Sequence, residues 1–131
     1  MKVKEGIQMT RGILLTTAAF VMLAAPALAQ QDKCAAPVAP VVPNGRTAAT
    51  AELVQAQKDV VAFIKASDDY QVCILAAITA AENEAKDAKK ALDPTIRKAL
   101  EAKGDANQKL KETVGKAYNT AAAAYKAAHP K

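Results

Sequence analysis

Two cysteines, one histidine and a scatter of carboxylates are the side chains in this chain with the means to do chemistry. Cys34 and Cys73 come first. They are the only cysteines, so a bond between them has one connectivity. They form no C-x-x-C unit, which argues against a redox-active pair. A structural disulfide is the expectation. Closing a loop of 39 residues would stabilise the fold by roughly 4 kcal/mol in the chain-entropy picture.

The remaining candidates are weaker. His129 is the sole histidine and sits before Pro130 near the end, where a general base or metal ligand lacks positioned neighbours. One His and two paired Cys do not make a zinc site. Asp68 and Asp69 are adjacent, and adjacent helical residues do not face one another. They read as a cap or bend rather than a cation site, which needs more oxygen ligands. Ser67 is the only serine and has no nucleophile motif around it. No glycine-rich phosphate loop is present. The expectation is a non-catalytic protein with no cofactor and no metal.

The leader says where such a protein would work. Lys2, Lys4 and Arg11 precede an uncharged run, Gly12 to Ala25, and Ala27-Leu28-Ala29 follows. Positive start, apolar stretch and small-x-small order make a secretory signal peptide over 1–29, cut between Ala29 and Gln30. The run is short for a membrane span, and Pro26 with the Ala-rich end that follows weakens any longer span to Gln31. Gln31-Asp32-Lys33 before Cys34 is not a lipoprotein context. A periplasmic or secreted protein of a bacterial envelope is expected, in an oxidising space.

The remainder, 30–131, carries 15 Lys+Arg against 12 Asp+Glu, a net charge of +3. Residues 30–85 are net −3 and residues 86–131 net +6. Alanine dominates and aromatics are few, so a small apolar core needs a staple or self-association. Lys98, Lys103, Lys109, Lys111 and Lys116, with Lys126 and Lys131, offer contact to an anionic envelope component. Nucleic acid is not expected, because export removes it and stacking aromatics are scarce.

Three elements must position these groups. Pro37, Pro40 and Pro43 recur at the three-residue period of polyproline II, and Asn44-Gly45 is a turn signal. Residues 30–46 read as an extended arm. A helical domain, 47–131, follows. Thr47 and Thr50 are candidate N-caps, and Glu52 suits the first turn. Alternating steps of three and four from Leu53 reach Ala56, Val60, Phe63, Ser67, Tyr70, Ile74, Ala77, Ala81, Glu84, Ala88 and Ala91, and predict a helix over 51–91 with a narrow seam. Asp93-Pro94 starts a second helix. Lys103-Gly104-Asp105 reads as a break, giving helices at 94–103 and 106–128, the latter with Leu110, Val114, Tyr118, Ala121, Tyr125 and Ala128 on one face. The fold expected is all-α, an antiparallel hairpin or small three-helix bundle.

Reach constrains the arm. Cys73 lies about 35 Å along the first helix, and the arm spans about 50 Å if extended. The bond forms only if the arm turns at Asn44-Gly45 and runs back along the helix. Residues 72–78 are apolar on every side and should be covered all round, by the arm and by the second helix. A hairpin turning near Asp93 would set position 73 opposite about 113, with Gly115 allowing close approach.

The function expected is binding or scaffolding in the envelope, in a chaperone-like manner or by self-association through the alanine seam. The alternative is a small-ligand or cell-wall binding module using the arm and the 72–78 belt.

Overall fold

The computed structural model describes residues 33–130. The expected signal peptide, 1–29, and its expected Ala29–Gln30 cleavage point lie outside the described residues. Among the described residues the architecture is a helical hairpin of two long helices, α1 (Thr50–Asp87) and α2 (Pro94–Ala128). Residues 35–44 are neither helix nor strand and form the arm.

The arm ends in the turn its sequence asked for. Asn44 Oδ1 accepts from the Arg46 amide at 3.0 Å, and Asn44 O accepts from the Thr47 and Ala48 amides. Such side-chain closure is why asparagine favours turns. The cap of α1 is neither predicted threonine. Ala49 holds that position in extended conformation, and the Glu52 carboxylate accepts from its amide at 2.7 Å. Thr50, the first helical residue, sends its hydroxyl instead to Tyr125 Oη, 2.5 Å away. This contact joins the start of α1 to the end of α2.

The forecast inner seam of α1 is buried from Ala56 through Ala81, while Glu84, Ala88 and Ala91 at its far end are exposed; Ser67-Asp68-Asp69 does not interrupt the helix. The helix stops at Asp87, four residues short of the expected end. The Lys89 and Lys90 amides return to the carbonyls of Lys86 and Ala85, with Lys89 at φ 54°. This is a Schellman closure. Its left-handed residue is usually glycine, so a lysine there left no signal in the sequence.

The expected break at Gly104 does not exist. One helix runs from Pro94 to Ala128, so 94–103 and 106–128 are a single element and the three-helix alternative falls away. Asp93 caps it, accepting from the Thr95 amide at 2.8 Å and the Thr95 hydroxyl at 2.6 Å. Both bonds hold the Asp93 carboxyl below its usual range. Gly104 sits buried in mid-helix, where a Cβ would lie 3.0 Å from Gln71 Oε1. It lets α1 and α2 approach. Gly115, assigned that role from the sequence, faces open space.

The register of the hairpin also differs from expectation. Asn107 Nδ2 donates to Ser67 O at 3.1 Å, Gln71 Nε2 donates to Gly104 O at 3.1 Å, and Arg97 pairs with Glu82. Position 73 therefore lies level with the Leu100–Gly104 stretch of α2 rather than with 113. The cause is the early end of α1 at Asp87, which brings the reversal of the chain ahead of Asp93.

Two apolar clusters make the core. Tyr70, Ile74, Ala77, Ile78 and Leu100 pack with Cys34 and Ile96 against them. Val60, Phe63 and Val114 pack with Ala39, Val42, Ile64 and Tyr118. Leu100 is 1% exposed. On α2 the buried line is Leu100, Gly104, Asn107, Val114 and Ala121, so the forecast Leu110 is displaced from it by Asn107 and is 39% exposed.

Candidate functional site

The arm is held where the reach argument placed it. Cys34 and Cys73 are disulfide-bonded, with their Cα atoms 5.7 Å apart. The arm thus turns at Asn44-Gly45 and runs antiparallel to α1 back to its middle. Pro37, Pro40 and Pro43 are half-buried, as are Ala39 and Val42, while Val38 and Val41 are 90% and 89% exposed. The three-residue period therefore gives the arm a docked side and an open apolar edge. At the turn, a Cβ on Gly45 would overlap the backbone carbonyl of Ala121. That contact is why glycine stands there, and it seats the arm on α2 as well as on α1.

Between the turn and α2 lies an open groove of about 610 Å³. Val42, Pro43 and Gly45 form one wall, and Lys116, Thr120 and Ala121 lie along the other. It shares the arm with the expected ligand site, but the 72–78 belt does not line it. That belt is not covered all round. Ile74, Ala77 and Ile78 are buried, whereas Val72 and Leu75 are 67% and 63% exposed. The arm lies on the Cys73 side and α2 on the Ile74 side, leaving the third side open to water.

The five lysines singled out from the sequence do not act as one set. Lys111 donates to Asp68 at 2.7 Å and is partly covered, tying α2 to α1. Lys98, Lys103, Lys109 and Lys116 are exposed and form no ion pair among the described residues. Lys98, Lys109 and Lys116 recur at steps of eleven and seven, which places them on one face of α2. Asp105 and Glu112 stand among them, so the face is basic but not purely so. Lys65 pairs with Asp69 at 2.7 Å, and that partner raises its pKa.

Other groups weighed for chemistry are accounted for locally. Asp68 and Asp69 each face a different lysine. Ser67 is fully buried, and its hydroxyl oxygen finds no partner. His129 closes α2, its ring stacked on Tyr125 with centroids 4.3 Å apart. Among the described residues, no group of three His, Cys, Asp or Glu is placed to hold a metal, and no helix is long and apolar enough to cross a membrane. The buried Asn107 was not anticipated. Its signal was available only as a polar residue on the three–four line from Leu100 and Gly104, once those are known to share a helix.

No protein-family model, curated protein or solved structure matches the chain.

Proposed function

We infer that this is a small exported helical protein that works by binding or scaffolding in a bacterial cell envelope, without catalysis. The observation that carries this reading is the Cys34–Cys73 bond, which clamps the arm onto α1. Disulfides of this structural kind persist in oxidising compartments, in keeping with the leader at 1–29. The surface on offer suits contact rather than chemistry. Lys98, Lys103, Lys109 and Lys116 present charge for an anionic envelope component, and the arm presents Val38 and Val41. A chaperone-like mode follows from such a surface. The oxidised protein should then suppress aggregation of an unfolded client at near-stoichiometric ratio, and less so at raised salt, which screens the lysines. No suppression at any ratio removes the chaperone-like mode.

The groove beside Gly45 favours a second reading, a small-ligand or cell-wall binding module. Native-state binding raises the melting temperature. A shift with soluble envelope fragments that is lost in Thr120→Leu would select this reading over the first.

A further inference from the structure

The outer face of α1 repeats the spacing of its inner face. Val54, Lys58, Val61, Lys65, Asp68, Val72, Leu75 and Thr79 follow alternating steps of four and three over more than three heptads. All eight are exposed. The large apolar members are Val54 at 46%, Val61 at 61%, Val72 at 67% and Leu75 at 63%. Neither α2 nor the arm covers this line. The alanine seam expected to drive self-association is spent inside the monomer, where Ala56, Ala77, Ala81 and Ala121 are buried.

We propose that this outer line is a self-complementary seam, on which a second copy of the chain docks with its α1 antiparallel about a two-fold axis between Lys65 and Asp68. The charges select that arrangement. With the axis there, Val61 meets Val72 of the other copy, and Lys65 meets its Asp68. By symmetry both contacts form twice. Val54 meets Thr79, and Leu75 meets the aliphatic stem of Lys58. A parallel pairing would instead stack each residue on itself, setting Lys58, Lys65 and Asp68 against like charges. A polar layer of this kind fixes register and orientation in paired helices.

The surface has the shape such a pairing needs. A shallow hollow of about 380 Å³ is lined by Gln57, Lys58, Val61, Ala62 and Lys65. Positions 58, 61, 62 and 65 are the four corners of a hole that receives one side chain from a facing helix. Val72 of the second copy is the side chain opposite. The intramolecular partners leave room for the central layer. Asp68 bonds Lys111 through Oδ1, and Lys65 uses one of its three donors on Asp69. Their side chains remain 58% and 77% exposed. The seam does not depend on where the protein resides or on what it binds.

Sedimentation of the oxidised protein across a concentration series tests this, alongside two charge variants. The native protein is expected to shift reversibly from monomer to dimer. Lys65→Asp alone sets acid against Asp68, and Asp68→Lys alone sets Lys against Lys65. Each should weaken self-association by about tenfold or more, through two altered pairs per dimer. An equimolar mixture of the two variants should recover a dimer, because both central pairs become opposite in charge again. Unchanged helical circular dichroism would show that each variant folds. A native protein that stays monomeric up to about 1 mM overturns the proposal. So does a dimer indifferent to the single variants, or a mixture that stays monomeric.

Discussion

Along the inner face of α1, positions 56, 60, 63, 67, 70, 74, 77 and 81 are buried against α2 and the arm. Along the outer face, positions 54, 58, 61, 65, 68, 72, 75 and 79 obey the same spacing and are exposed. Side-chain size does not separate the two lines, since both carry branched aliphatics. Their central layers do. The inner line passes through Ser67, which is small and neutral and whose carbonyl accepts from Asn107. The outer line passes through Lys65 and Asp68, and burying unpaired charge is costly. Within one chain the neutral line becomes core. The charged line is left for a partner that brings the opposite charges.

The staple lies on the flank between these faces, and removing it is the strongest way to disturb both. Reduction, or Cys34→Ser with Cys73→Ser, should lower stability by roughly 4 kcal/mol. Denaturant unfolding with and without reductant measures this. The arm should then become protease-sensitive while α1 and α2 persist.

The two faces should respond unequally to truncation. Leu100→Ala, opposite the inner face, should cost about 3 kcal/mol by opening a cavity. Leu75→Ala, on the outer face, should change monomer stability by less than about 0.5 kcal/mol when unfolding is followed at high dilution. Equal effects would mean that the outer face is already packed within one chain.

Glycine substitutions sharpen the contrast on α2. Gly104→Leu drives a side chain into Gln71 and Ile74 and should destabilise by about 2 kcal/mol. Gly115→Ala meets open space and should stabilise by about 1 kcal/mol through helix propensity. Thermal unfolding of both variants reads the sign directly.

The smallest effect concerns the end of the hairpin, away from both seams. Hydrogen bonds from Thr95 depress the Asp93 pKa in the folded state. The cap therefore contributes stability above the unfolded-state value, and this is lost as pH falls through the folded one. Asp93→Ala should lower stability near neutrality and flatten its fall in acid, as followed by unfolding at a series of pH values.

Much of this fold was legible because it rests on local rules. The three–four steps from Ala56 to Ala81, the Asp93-Pro94 start and the Asn44-Gly45 turn each have a short-range physical cause. The disulfide was expected from the single pair of cysteines, and chain reach then gave the path of the arm. What was hidden depends on tertiary context. Gly104 looked like a terminator because its close approach to Gln71 is not visible in sequence, and Lys89 occupies a position that glycine normally marks. The apolar belt at 72–78 showed no preference for one side, so its open face at Val72 and Leu75 emerged only with the arm and α2 in place. The lysines were visible as a charge excess. That Lys111 is tied to Asp68 while Lys98, Lys109 and Lys116 share an open face required the hairpin register.

Mass spectrometry of the protein taken from its own cells, alkylated at lysis to trap free thiols, tests the central claim most directly. The account predicts an envelope or secreted species beginning at Gln30, with neither Cys34 nor Cys73 alkylated. An intracellular full-length chain carrying two alkylated cysteines would contradict it.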